Sequence, residues 1–337
     1  MPEKVINARA PTRISFAGGG TDVESYFKEH GGCVINFAID VHAYSNVIKL
    51  QKQIIDLESV DLGFKQSFAD LNAMKLSDNP NLLKLIIEDF GASGIKLFSR
   101  SEFPPKSGIG GSATFSVSAI GAINKLLGKN LSPRDIANKA YEIERIKLGI
   151  KGGWQDQLAA AYGGFNFMEF SADKIKVNPV KISRSTVLDL EKCIVLGYLM
   201  PRDTAHNIHA KQEYAIKKNE ADVLNALHKT KEMGYEMKDY LVSGNIEAAG
   251  KLLADAWDEK KKSHPGASNE FIDRVYDVAI KSGAYGGKVS GAGGGGYMFF
   301  ICQTNKEHIV AEALTKTGAK TVPFKFTTNG LEVWETW

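Results

Sequence analysis

The stretch Pro104-Pro105-Lys106-Ser107-Gly108-Ile109-Gly110-Gly111-Ser112-Ala113-Thr114 constrains this chain more than any other. Ahead of it, Gly94-Ile95-Lys96-Leu97-Phe98-Ser99 reads as a short apolar strand. Behind it, Phe115, Val117, Ala119, Ile120, Ala122, Ile123, Leu126 and Leu127 recur at helical spacings of three and four. A strand, a proline-stiffened connection, a glycine loop and a buried helix follow one another. Glycines let backbone amides approach a ligand because no Cβ intervenes. The helix behind them adds unpaired amides and the positive end of its dipole. This combination predicts an anion site, with Ser112 on the first turn offering a hydroxyl to a phosphate or to its metal. The plain alternative is a tight turn into a core helix, which four small residues in succession disfavour.

Two familiar phosphate loops do not fit. The chain has no G-x-x-x-x-G-K-[ST]. Gly108-x-Gly110-x-x-Ala113 matches the dinucleotide fingerprint, but two prolines and a charged loop separate it from its strand. Gly291-x-Gly293-x-x-Gly296 matches as well, with its strand on the wrong side. The 337 residues are 43% hydrophobic and 24% charged with a net charge of +3, enough for one large domain or two ordinary ones. That near balance gives no electrostatic case for nucleic acid or an anionic membrane. Cys33, Cys193 and Cys302 lack metal-ligand spacing and fit buried thiols in a reducing cytoplasm. No signal peptide and no membrane span of ~20 apolar residues is expected.

In chain order, Ile6–Phe16 reads as a strand, with Thr21 or Asp22 capping a short helix from Val23 to Glu29. Strands are expected over 33–50 and 53–68, and a helix from Asn81 to Gly91. Ser132-Pro133 opens a helix carrying Ile136, Ala140, Ile143 and Lys147 and ending near Gly149. Gly152-Gly153-Trp154-Gln155-Asp156 turns into another helix, then Phe165–Phe170 reads as a strand. Composition changes over 183–190, suggesting domains of 1–185 and 186–337. The second holds a strand at 193–199, helices around 206–219, 221–242, 245–262 and 268–282, a strand at 297–302, a helix at 305–317 and two short strands near 320–327 and 331–335. Strands and helices segregate unevenly, which favours α+β over a doubly wound sheet.

Three motifs together resemble the GHMP small-molecule kinases. Pro11-Thr12-Arg13-Ile14-Ser15-Phe16-Ala17-Gly18-Gly19-Gly20-Thr21-Asp22 is similar to the galactokinase opening P-G-R-V-N-L-I-G-E-H-T-D. The stretch 104–114 is similar to P-x-x-x-G-L-G-S-S-A, departing at Gly111, where most members carry serine. Ser290-Gly291-Ala292-Gly293-Gly294-Gly295-Gly296 is similar to T-G-A-G-G-G-G. Within the family, Arg9–Val23 and Gly31–Asn36 resemble the sugar-1-kinases of D-glycero-D-manno-heptose 7-phosphate, with L-fucose kinases as nearest competitors. The resemblance implies an α+β two-domain fold: an N-terminal mixed sheet with helices and a C-terminal ferredoxin-like α/β sandwich with extra helices. It also implies ATP as phosphoryl donor, Mg2+ as cofactor, attack by the anomeric hydroxyl, and a part in making nucleotide-activated heptose.

The same resemblance distributes roles. Asp156 corresponds to the catalytic base and Arg13 to its basic partner. Residues Pro105, Lys106, Ser107, Gly108, Ile109, Gly110, Gly111, Ser112, Ala113 and Thr114 would bind the ATP phosphates. Ser112 and Glu144 would hold magnesium, with Glu142 as rival to Glu144. Asp22 would take sugar hydroxyls, together with Gly18, Gly19, Gly20, Thr21, Gly293 and Gly294. Gly19 and Gly20 leave room for a sugar phosphate that their amides can meet, and Arg202 and Lys211 are candidates to complete its site. Each has an ordinary alternative: a dipole-satisfying Asp156, a surface ion pair at Arg13, a solvated Glu144, a capping Asp22. His206 and His209 have no third ligand and read as exposed helix residues. The partners expected are ATP and a sugar phosphate, with no nucleic acid or membrane and a homodimer left open. A sugar- and ATP-binding protein without catalysis is the alternative of another class.

Overall fold

Residues Val5–Ala17 form β1, whose first half alternates between buried and half-buried positions while Ala10–Ala17 is buried throughout. A strand with that pattern runs from a half-exposed end into the molecule's middle, and β1 does so. The computed structural model describes residues 4–61, 63–75, 81–201 and 205–337, and of 205–207 the backbone alone. After β1 come α1 (Glu24–His30), β2 (Gly32–Lys49), β3 (Ile55–Ser59), β4 (Phe64–Phe68), α2 (Leu71–Lys75), α3 (Leu82–Phe90) and β5 (Ile95–Ser101). Next are α4 (Gly111–Leu126), α5 (Pro133–Tyr141), α6 (Gln155–Tyr162), β6 (Phe165–Phe170), β7 (Ile175–Pro179), α7 (Arg184–Cys193) and β8 (Ile194–Met200). The remainder is α8 (Ala205–Lys217), α9 (Ala221–Ser243), α10 (Ile246–Ser263), α11 (Glu270–Lys281), β9 (Ala284–Val289), β10 (Gly296–Cys302), α12 (Glu307–Lys316), β11 (Lys320–Thr321) and β12 (Glu332–Thr336).

The first sheet has eight strands, in the order β12-β1-β2-β5-β3-β4, with β6 and β7 branching from β2. The long β2 makes this possible: residues 32–37 pair with β6, residues 43–49 pair with β5, and β1 runs along both parts. Only β3 and β5 are parallel, so the sheet is mixed. A register shift falls between Pro11 and Thr12, where a residue without an amide proton costs the ladder least. The buried α4 packs on β1 and β2. The second sheet is antiparallel in the order β11-β8-β10-β9. Counting its strands along the chain gives 4-1-3-2, the ferredoxin-like arrangement. The fold is thus the α+β one expected.

Several local expectations change. The expected division at 185/186 separates the strands of the two sheets with one exception, since β12 returns to pair with β1. The composition change at 183–190 is helix α7, capped by Ser183, whose hydroxyl accepts from the Thr186 amide. Strand β9, with its glycine pair, had no strand-like signal. The expected helix from Ser132 to Gly149 is α-helical to Tyr141, then widens into a π-helical turn over Glu142–Lys147. That turn buries Glu144 (1% exposed) while leaving Ile146 outside (68%), and such insertions recur at functional sites. Neither Thr21 nor Asp22 caps α1; Val23 occupies the cap without a side-chain bond.

Thr21 is instead a buried brace. Its hydroxyl contacts the carbonyls of Gly18 (2.8 Å) and Cys33 (2.9 Å) and accepts from the Cys33 amide (3.0 Å). Thr21→Val keeps the shape and strands that amide, so a loss of about 1–3 kcal/mol is expected. Urea unfolding of the variant beside the wild type measures it, and an unchanged midpoint would contradict the brace.

Candidate functional site

Arg13 and Asp156 are 143 positions apart in the chain and in contact in the fold. Arg13 Nε and Nη2 donate to Asp156 Oδ1 at 2.8 and 2.5 Å. Both bonds end on the same oxygen, so Oδ2 keeps its lone pairs for another donor. Arg13 Nη1 donates to the Gly108 carbonyl (3.2 Å) and to Ser290 Oγ (3.1 Å), and the Arg13 amide donates to Ile109 O (3.2 Å). One residue thus joins the first glycine motif to the second, the third and helix α6. Burial by itself would push the Asp156 carboxyl up. The charges of Arg13 and Arg145, with the Arg13 hydrogen bonds, outweigh burial and hold it below its ordinary value.

Asp22 is the opposite case. Its Oδ1 accepts from the Gly20 amide and its Oδ2 from the Gln155 amide, both at 3.0 Å. Burial pushes its carboxyl up, and the neighbouring Asp156 charge adds to the rise against those two amides. Gly153 permits the arrangement, because a Cβ there would stand 2.0 Å from Asp22 Oδ2. Two neighbouring carboxyls with pKa values driven apart are a recurring feature of sites that move protons.

These groups line a cleft of about 550 Å³. Of the expected residues, Arg13, Gly19, Gly20, Asp22, Pro105, Lys106, Ser107, Gly108, Gly110, Gly111, Ser112, Ala113, Glu144 and Asp156 line it. The first amides of a helix have no partner within it, and α4 begins at Gly111, beside the lining residues Ser112 and Ala113. The departure from serine at Gly111 has a steric reason: a Cβ would lie 2.4 Å from the Phe103 ring. Glu144 Oε2 accepts from Gln157 Nε2 at 2.6 Å, and Oε1 stands 3.5 Å from Arg145 Nη1.

Other expected residues serve the frame. Gly18 packs against the Cys33 carbonyl, and Thr21 is the brace described above. Ile109 is in the core, and the Thr114 hydroxyl, also buried, bonds the carbonyls of Pro11 and Gly110. Gly293 and Gly294 pack on Ala267, and Gly291 and Ala292 line the cleft in their place. The Gly20 amide is engaged by Asp22, which removes it as a phosphate donor. Lys211 is exposed beside a separate depression, because the inward turn of α8 presents Gln212 instead. Arg202 lies outside the described residues.

Sequence reasoning overlooked Ser15, Gln155, Lys260, His264 and Lys288, all in the lining. Strand period two places Ser15 on the face of Arg13, a signal that was available. Lys260 and His264 carried none. Lys260 Nζ donates to the carbonyls of Val289 (2.8 Å) and Gly291, holding the third glycine motif. Burial, helped by the Arg13 charge, pushes Lys288 down to about 7. Among the described residues no three His, Cys, Asp or Glu side chains form a metal-holding group, and no helix is long and apolar enough to cross a membrane.

A depressed carboxyl pKa stabilises the fold above the unfolded value, near 3.9, and that contribution is lost as pH falls through the folded value. Arg13→Gln removes the main opposition to burial. The Asp156 carboxyl should then titrate at higher pH than in the wild type, followed by carboxyl 13C chemical shifts. An unmoved titration would show that Arg13 does not set it.

Residues 80–164 match the family described as GHMP kinases N terminal domain, and residues 237–320 match GHMP kinases C terminal. The chain is 35% identical to the D-glycero-alpha-D-manno-heptose 7-phosphate kinase of Campylobacter jejuni, over 98% of this chain and 99% of that one. It is 26% identical to the L-fucokinase/L-fucose-1-P guanylyltransferase of Bacteroides fragilis, over 89% of this chain but 35% of that larger protein. The crystal structure of a D-glycero-D-manno-heptose 1-phosphate kinase from Bacteriodes thetaiotaomicron superposes with a TM-score of 0.82 at 30% identity, covering 98% of this chain and 99% of the other. With the glycine loop, the Arg13–Asp156 pair and the two-sheet fold all in place, the chain belongs to the GHMP kinases.

Proposed function

We propose that the protein transfers the γ-phosphoryl group of ATP to the anomeric hydroxyl of D-glycero-D-manno-heptose 7-phosphate, giving the 1,7-bisphosphate. The observation that carries this reading is Asp156: one oxygen is fixed by Arg13, the other is unclaimed by it, and the carboxylate faces the same cleft as the glycine loop. Asp156 accepts the proton of the attacking hydroxyl, and its depressed pKa keeps it ionised for the task at neutral pH. An anomeric hydroxyl is more acidic than an ordinary alcohol, so this weak base suffices. Arg13 holds the carboxylate in place. The 35% identity with the Campylobacter jejuni heptose 7-phosphate kinase, against 26% with the L-fucokinase of Bacteroides fragilis, supports the heptose substrate.

The phosphates lie on the loop from Pro105 to Ala113 and the start of α4, and the apolar end of the cleft, with Phe64, Leu82, Leu83 and Phe115, suits the adenine. Ser112 and Glu144 fit a magnesium ion: both offer hard oxygen, both line the cleft, and an ion that keeps its own waters needs few protein ligands. Magnesium supplies neutralisation of the β- and γ-phosphate charge. Lys151 and Lys260 give the cleft further positive charge for a doubly phosphorylated product. The reaction belongs to the cytoplasmic synthesis of nucleotide-activated heptose for polysaccharide.

Wild-type protein with ATP and magnesium should show a much higher kcat/KM for heptose 7-phosphate than for the bare heptose, with carbon–phosphorus coupling at C1 of the product. Equal values would remove the 7-phosphate from the reading, and phosphorylation of L-fucose in preference would replace the substrate.

Asp156→Asn should lower kcat by about 100- to 10,000-fold, the usual worth of a general base, with ATP affinity by calorimetry close to wild type. Wild-type turnover in this variant would remove Asp156 as the base.

A further inference from the structure

Gly19 and Gly20 carry no side chains, but four others close over them. A Cβ on Gly19 would lie 3.3 Å from Gln155 Nε2 and 3.4 Å from Ser15 Oγ. One on Gly20 would lie 2.7 Å from His264 Cε1 and 2.9 Å from Gln212 Nε2. The four come from β1, α6, α8 and the residue after α10, so the fold has gathered them from separate elements. Ser15, Gln155 and His264 line the cleft, next to the Arg13–Asp156 pair.

Their hydrogen bonding is incomplete. Ser15 Oγ, Gln155 Oε1 and Gln212 Oε1 are buried with no partner in the protein. Native proteins leave few such atoms, because each costs the desolvation of a polar group. Three around one dipeptide point to a ligand that satisfies them. His264 Nδ1 stands 2.9 Å from Ser263 Oγ and 3.4 Å from Gln212 Nε2, so the protein engages that nitrogen. Its Nε2 lies 3.1 Å from where a Cβ on Gly20 would stand. Burial, then the charges of Lys260, His209 and Lys288, hold His264 well below its ordinary value, and the ring is uncharged at neutral pH. A site for an anion would offer donors and positive charge. This ring offers a hydroxyl, an amide oxygen and an imidazole nitrogen, all neutral, and the chemical group that can both donate to and accept from them is itself a hydroxyl.

We propose that Ser15, Gln155 and His264 read the sugar's hydroxyl groups other than the one phosphorylated, with Gln212 as the positioning residue that fixes the His264 ring. The proposal rests on the sugar-kinase reading above. It assigns the wall over Gly19–Gly20 to the polyol rather than to a phosphate.

Ser15→Ala and Gln155→Met each remove an unpartnered polar atom with little change of volume. Each should raise the sugar KM roughly tenfold, the worth of about one net hydrogen bond, and leave the ATP KM unchanged. The Tm should stay level or rise, since nothing in the protein loses a partner. Lower Tm with an unchanged sugar KM would overturn the proposal, because that is the pattern of a structural role. Gln212→Met should raise the sugar KM in the wild type and have no further effect in a His264→Phe background; additive effects would overturn its positioning role. The panel is run with heptose 7-phosphate and with L-fucose. If the wild type turns over only L-fucose, the heptose reading fails and the variants are judged by the same criteria on that sugar. Turnover of neither would overturn both.

Discussion

A single guanidinium holds the catalytic half of this molecule together. Arg13 is 2% exposed, and its nitrogens reach Asp156, the Gly108 carbonyl and Ser290. A charge so deeply placed is costly unless every donor is used, and losing one partner of such a pair costs about 3–5 kcal/mol. The three glycine motifs are therefore not independent cradles. They share one cation, and the position of the loop relative to the carboxylate depends on that residue. The other supports act on the same parts: Lys260 fixes the third motif from α10, and the Tyr297 amide donates to the Ser107 carbonyl from β10.

The two buried carboxyls show how environment assigns work to identical groups. Asp156 meets charges, so it stays ionised. Asp22 is held by burial and a like charge that together outweigh its two backbone amides, so its acid form is favoured relative to a carboxyl in water. Its two oxygens pin the Gly18–Asp22 turn to the start of α6. The cleft's shape beside Gly19 and Gly20 is set by a side chain first legible as a helix cap or a ligand contact.

Much of this was legible in order along the chain. Glycine runs, caps and apolar periods are local, and Asn81, Ser132 and Gly91 terminate their helices as residue chemistry dictates. The contacts of Arg13 with Asp156 followed from family likeness and not from spacing, which carries no information across 143 positions. Roles failed where a residue's partners are distant: Thr21 and Thr114 offer hydroxyls that look available and are consumed by backbone carbonyls. Gly293 and Gly294 were indistinguishable from Gly291 until Ala267 packed against them. His264 and Lys260 reach the cleft from a charged helix whose polar residues look solvated in one dimension. The π-helical turn at Glu142–Lys147 has no signature in hydrophobic period at all.

The return of β12 to the first sheet carries a consequence for folding. Glu332–Thr336 pair with Val5–Arg9, the Leu331 amide donates to Ala161 O at the end of α6, and Gly164 N and Thr327 O bond across β6's approach. The strand bearing Arg13 and the helix bearing Asp156 are thus both buttressed by residues that follow the whole second sheet in the chain. Closing a loop of this length is entropically slow, and until it closes β1 has a bare edge where β12 will lie. A chain without residues 328–337 has every group that lines the cleft and lacks the strap that holds them in register. The register of the site is thus set by a strand that contributes nothing to its lining.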